Sequence, residues 1–430
     1  MALALAGCSS PGTSPSSQAP STTAPTTSAA PSTTAPAEPI KLTFQALYDQ
    51  PGNIAACKAI VDAWNKANPL IQVEYIAAGW DSINNKLVTQ FNGGTAPDII
   101  HNEVAAMVSF AADGYLADLT PYMSDAMKAD IGQGLLDSVT LDGKIYQYPT
   151  ELQAYTAFAN TKILRDAGVT IPTGDTLSWD DFQAMAKAAT KEGVFGFGWG
   201  LKSPTAAFMT MAPGFGATYF SGTGADVKIN VGANELALPQ IAYKMAYEDK
   251  SLMPVTLTQS GSEVMAAFYA GQIAMTIQGS YQAANIPKNA PDGFEWTVLP
   301  PLAGPAGANQ AADPQTLSVN ADSKHIKEAA QFIEYFMSPE NLAAINTADA
   351  LIPTTASARA AMASSLGAQG HWDMIMKAGD HFVSGPFLYA NNYQSWKDTV
   401  ATPSFQQYLG KKIDAAGLAK ALTDGWNSLG

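Results

Sequence analysis

From Ile40 onward the apolar residues switch between two spacings. Lys41-Leu42-Thr43-Phe44-Gln45-Ala46 alternates as a strand should, and Asp49, Gln50, Pro51, Gly52 and Asn53 interrupt it. Ile54, Cys57, Val61 and Trp64 then recur at helical spacing until Asn68-Pro69 stops them. Ile71, Val73 and Tyr75 predict a second strand. Asp81 is placed to cap a helix carrying Ile83, Leu87 and Phe91, and Gly93-Gly94 ends it. Pro97-Asp98-Ile99-Ile100 opens a third strand. Strand–helix–strand–helix–strand predicts a mostly parallel sheet with helices on both faces.

The alternation continues further along. Asn160-Thr161 starts a helix that ends at Gly168, and Ser178 caps another, with Asp181 placed to return the bond. Phe195-Gly196-Phe197-Gly198-Trp199 predicts a strand whose glycines allow a close approach. Ala266 to Ala270 closes a helix at Gly271, and Ile273 to Ile277 follows as a strand. Ser338-Pro339-Glu340 opens a helix with Pro at its first position. Ala415 to Leu429 predicts a surface helix. With 430 residues, the chain suits about two domains.

The first forty residues behave differently. Met1 to Gly7 is a short apolar segment closed by Leu5-Ala6-Gly7-Cys8, and from Ser9 to Ala37 only Gly12 and Gln18 depart from Ser, Pro, Thr and Ala. Such a stretch has nothing to bury, so an extended tether is expected over 9–39. Met1 to Gly7 has no Lys or Arg and too few apolar residues for an export signal, so a start farther upstream or a trimmed leader is expected.

Charge and cysteine content narrow the function classes. A net charge of -14 argues against a nucleic-acid partner, which needs a concentrated Lys/Arg surface, and favours a neutral ligand. No apolar run approaches the roughly 18 residues of a membrane helix. Only Cys8 and Cys57 are present, so no disulfide framework is possible, and Cys57 is expected to be buried packing.

Gly94-Thr95-Ala96-Pro97-Asp98-Ile99-Ile100, Gly114 to Leu119 and Asp142 to Pro149 occur in order. Ser178 to Phe182, Phe268 to Tyr281, Ser338-Pro339-Glu340 and Leu351-Ile352-Pro353-Thr354 follow them. Together they resemble the carbohydrate-type solute-binding proteins of ABC importers, similar to the maltose-binding protein. Leu5 to Cys8 resembles the lipobox of bacterial lipoproteins, in which the cysteine carries the lipid. The resemblance implies a periplasmic-binding-protein-like α/β fold: two α/β lobes, joined by a hinge of several crossings, with the ligand between them. Crossings are expected near Thr150-Glu151, near Pro314-Gln315 and just after Pro353. One lobe would hold 40–150 and 315–355, the other 151–314 and 356–430, with residues 1–8 as the lipobox segment. The implied function is capture of a sugar by lobe closure and its delivery to permease subunits. The protein is expected to be a monomer, held by lipidated Cys8 on the outer face of the cell membrane, with neither cofactor nor metal.

A sugar needs a flat apolar surface for its C–H face and directional polar groups for its hydroxyls. On that chemistry and the resemblance, the expected ligand-binding residues begin with Asp49 and Gln50 after the first strand and Asn102 and Glu103 after the third. His101 is either a ligand contact or a satisfied surface histidine. Gln153 stands where maltose-type binders carry an acid, which points to a different sugar. Trp199 and Ser203 follow a second-lobe strand, and Ser280, Tyr281 and Trp396 match stretches in which aromatics stack on sugar. Trp80 stays open, whereas Trp64 and Trp426 are assigned to packing. Enzyme alternatives find little footing: there is no nucleophile elbow, phosphate loop or metal-ligand spacing. A secreted glycosidase would need facing carboxylates such as Glu103 and Glu151, and a carbohydrate-binding adhesion protein is the other alternative.

Overall fold

Two β-sheets organise the body, and the strands that cross between them set the ligand site. The computed structural model describes residues 38–222, 226–366, 371–379 and 381–429; Cys8 and the Ser/Thr/Pro/Ala stretch lie outside them. The larger sheet has six strands in the order Ile352–Pro353, Gln147–Leu152, Gln315–Val319, Ile99–Glu103, Ile40–Ala46, Ile71–Ala77. Ile40–Ala46 runs parallel to both of its neighbours, whereas Gln315–Val319 pairs antiparallel with Ile99–Glu103 and Gln147–Leu152. The smaller sheet orders Trp296–Val298, Tyr155–Asn160, Ile273–Gly279, Phe195–Trp199.

Local sequence explains these elements. Helix Pro51–Ala67 begins where the Asn53 side chain accepts the Gln50 N–H at 3.0 Å, with Pro51 at its first position. Its apolar stripe buries Cys57, Ile60, Val61 and Trp64. Trp64 packs its ring edge against Phe332 at 5.6 Å, and Phe332 also meets Phe44 at 5.7 Å. At the smaller sheet Trp199 packs against Trp179, Phe197 and Phe208. Each such fully buried aromatic contributes about 1.5–3 kcal/mol. Ser178 caps helix Trp179–Ala189 by accepting the Asp181 N–H at 3.0 Å, and the Asp181 carboxylate takes the Ser178 hydroxyl instead of its backbone N–H.

One helix start departs from expectation. Helix Ile83–Asn92 is preceded by Ser82 in the left-handed region (φ 59°), and Asp81 does not cap it. Ser82 takes the N-cap position, so Asp81 falls one residue ahead of it.

The crossings meet at one point. Glu151 is in register with both Gln315 and Pro353 across neighbouring strands. Thr150 Oγ1 donates to the Gln315 carbonyl at 3.0 Å, and Asn346 Nδ2 reaches the Thr150 carbonyl at 3.3 Å.

Candidate ligand cleft

The loops that leave strands Ile40–Ala46 and Ile99–Glu103 meet the start of the Gln153 segment and the end of strand Ile273–Gly279. They enclose a cavity of about 280 Å³. Asp49, Gln50, Glu103, Gln153 and Tyr281 all line it. A second cavity of about 190 Å³ adjoins it and shares Gln153 and Tyr281; Trp199, Lys202 and Ser203 form its far side. A small extension at Glu103 and Gln153 is lined by Tyr155, Asp313 and Lys397. Seven of the ten ligand candidates therefore converge.

Glycines make this convergence possible. A Cβ on Gly279 would overlap the Tyr281 ring and lie 2.9 Å from Gln153 Cδ. The bare backbone there lets Tyr281 and Gln153 share the wall between the two cavities. A Cβ on Gly200 would lie 2.6 Å from the Gly261 N, so these two glycines bring two loops together beside Lys202.

Three candidates are placed elsewhere. Trp396 is fully buried: its indole N–H donates to the Leu422 carbonyl at 3.0 Å, and its ring packs on Phe220 and Trp426. With no exposed surface and its donor already engaged, it sits as core packing and lines none of these cavities. Asn102 is 2% exposed and lines none of these cavities; its side-chain Oδ1 accepts the Glu103 N–H at 2.9 Å. Ser280 is likewise fully buried; its N–H donates to the Ala154 carbonyl, and its hydroxyl has no partner among the described residues.

His101 is not at the surface, and it lines none of these cavities. It is fully buried beneath the cleft, with Nδ1 accepting the Leu47 N–H at 3.1 Å and Nε2 2.8 Å from Gln315 Oε1. The Leu47 bond requires a bare Nδ1, so Nε2 carries the proton and donates to Gln315. Burial lowers its pKa to about 4, against a small upward pull from the Gln315 bond. The neutral ring stacks 4.6 Å from Tyr48, whose hydroxyl donates to Glu151 Oε2 at 2.9 Å. His101 Nε2 and Glu151 Oε2 are 3.8 Å apart. Glu151 is fully buried and lines neither cavity, so Glu103 and Glu151 do not flank the cleft as a carboxylate pair.

Burial, and then the nearby Asp349, push the Glu151 carboxyl well above its usual range; the Tyr48 bond opposes them. The folded state thus holds this proton more tightly than the unfolded chain. Its contribution is fully present below about pH 4.3, the unfolded value, and is lost as pH rises toward the folded value. Glu151→Gln keeps an acceptor for the Tyr48 hydroxyl and removes the cost of protonating or burying a carboxylate on folding at neutral pH. We expect it to stabilise the protein by about 1–3 kcal/mol at neutral pH, with the gain shrinking toward acid. Urea unfolding of both proteins at neutral and acid pH checks this. A variant that is less stable at neutral pH would show that an ionised Glu151 is well paired.

Residues that sequence reasoning missed complete the wall. Asp349, at the end of helix Pro339–Asp349, lines the larger cavity with Ser262, Gln315 and Leu351. Asn53 is buried and donates to Asp349 Oδ1 at 2.9 Å, so this first-turn asparagine positions a carboxylate on the cavity wall. Burial raises the Asp349 pKa to about 6, Asp49 adding to the rise and the Asn53 bond opposing it. Trp80 also lines this cavity. Only its position ahead of a helix start hinted at this, and no local pattern marked Asp349.

Comparison with known proteins agrees with this geometry. The bacterial extracellular solute-binding protein profile matches residues 49–343. The chain belongs to that family. This solute-binding protein is 35% identical over 374 residues to an uncharacterized lipoprotein in the oleD 5' region of Streptomyces antibioticus, spanning 86% of this chain and 82% of the other. Its fold matches the Listeria monocytogenes substrate-binding protein Lmo0181 in complex with cycloalternan (TM-score 0.75, 22% identity, 91% of this chain and 98% of that one). The GacH receptor of Streptomyces glaucescens, described unliganded and with acarbose, matches similarly (TM-score 0.73, 21% identity, 91% and 98%). The solute-binding protein thus has the two-lobed fold of periplasmic binding proteins. Among its described residues no helix is long and apolar enough to cross a membrane.

Proposed function

We propose that this solute-binding protein captures a sugar or oligosaccharide by lobe closure and hands it to the permease of an ABC importer. One observation carries the reading: Trp80 and Tyr281 line the same cavity as Gln50, Gln153 and several carboxylates. Aromatic faces take the C–H surface of a sugar ring, and amides and carboxylates accept its hydroxyls. The cavity sits beside the crossing strands, so closing the lobes about that hinge would bury the ligand. The structural relatives with cycloalternan and acarbose support a carbohydrate ligand. Anchoring through lipidated Cys8, which the relative named a lipoprotein supports, would keep capture on the outer face of the membrane near the importer.

The protein acts here as a binder and not as an enzyme. A thermal-shift screen over mono-, di- and oligosaccharides tests this, with chromatography of each incubated sugar. A ligand at about a hundred times its Kd should stabilise the protein by about 2.7 kcal/mol and be recovered intact. Cleaved sugar would make the protein a hydrolase, and a panel without any shift would favour an adhesion role.

A further inference from the structure

The larger cavity has a charge imbalance that a neutral sugar leaves uncompensated. Asp49, Glu103 and Asp349 line it, and among the described residues no Lys, Arg or His does. Among the described residues none of these carboxylates has a cationic partner within 4.0 Å. Lys202 lies in the adjoining cavity and Lys397 in the small extension. Trp80 and Tyr281 line the same cavity as the acids. Carboxylates and aromatic rings in one cavity favour a cation, which gains from the anionic groups and from the rings at once.

A separate observation points the same way. Gln278 is 3% exposed and lines the adjoining cavity. Its amide nitrogen is taken by Thr276 Oγ1 at 2.9 Å. Its Oε1 lies against Gly261, where a Cβ would come within 2.6 Å of it, and accepts no hydrogen bond within the protein among the described residues. Such an acceptor on a cavity wall is open to a donor from the ligand. The adjoining cavity thus offers a free acceptor, and the larger one presents carboxylates.

We propose that the ligand is an amino sugar or an amine-bearing oligosaccharide, its cationic nitrogen placed in the larger cavity among Asp49, Glu103 and Asp349. This inference rests on the sugar-binding reading above and narrows it. Lys202 gives the site a direction: the amine end belongs in the acidic cavity, and a neutral hydroxylated end in the cavity of Lys202, Ser203 and Gln278.

Calorimetric titration of the purified protein tests it with matched probes at neutral pH. These are glucose, glucosamine and N-acetylglucosamine, then cellobiose against the β-1,4-linked glucosamine disaccharide. N-acetylation keeps the nitrogen and removes its charge. In at least one series the free amine should bind about tenfold or more tightly than both neutral counterparts, a preference that weakens as salt is raised from about 0.05 to about 0.5 M. Asp349→Asn and Glu103→Gln should each bring that ratio toward one, with unchanged far-ultraviolet circular dichroism to exclude misfolding. Neutral sugars binding as well as or better than the amines would overturn this inference and leave the sugar-binding reading standing. Failure of both amines and neutral sugars to bind, in these series and in the wider screen, would overturn both.

Discussion

Replacing Gly196 with alanine should destabilise the protein by about 3 kcal/mol or more, the upper range for forcing extra volume into a packed core. Gly196 lies on strand Phe195–Trp199, and a Cβ there would overlap the backbone of Ala186 on helix Trp179–Ala189. Backbone cannot swing aside as a side chain can, so helix and strand would have to separate. That separation would loosen the packing of Trp179 and Phe182 on Phe197 and Trp199. Gly134→Ala is the control. It sits in helix Gln133–Ser138 with nothing within 4 Å of its would-be Cβ, so alanine should be neutral or stabilise by up to about 1 kcal/mol. Urea unfolding compares the two, and equal small effects would mean that the helix does not rest on the strand at Gly196.

Tyr281→Ala should weaken binding of the best carbohydrate hit by about 10- to 100-fold, or about 1.4–2.7 kcal/mol. Tyr281 lines both main cavities, so its ring would contact the ligand in either. Trp396→Ala should behave in the opposite way. It would cost about 3–5 kcal/mol of stability by emptying a core site among Phe220, Trp426 and Tyr393, and leave intrinsic affinity nearly unchanged. Titration calorimetry and denaturation on the same two variants separate these outcomes. Full affinity in Tyr281→Ala would remove the cleft as the binding site.

The two tests also mark how far the sequence could be read. Gly196 and Gly198 alternate with aromatics, and that spacing alone announced a close approach; what approaches (helix backbone at one, the Ile273 side chain at the other) came only from the fold. Tyr281 followed a Gly-Ser turn at the end of a strong strand, a place where α/β sheets expose side chains to a cleft. Trp396 carried a similar signal of aromatic residue and polar neighbours, yet it is buried. Residue type does not say which side of a helix will face a neighbour.

Sequence by itself determined the strand and helix order, most helix starts, the burial of Cys57 and Trp64, and the family to which the chain belongs. These depend on period, capping and turn chemistry, which act over a few residues. Tertiary structure alone decided that Asn53 would hold Asp349, some three hundred positions away, and that His101 would sit neutral beneath the cleft, bonded to Gln315. It also decided that Asp49, Glu103 and Asp349 would share one cavity. Charge and hydrogen bonding act through space, and the strand crossings bring together residues that no local pattern connects.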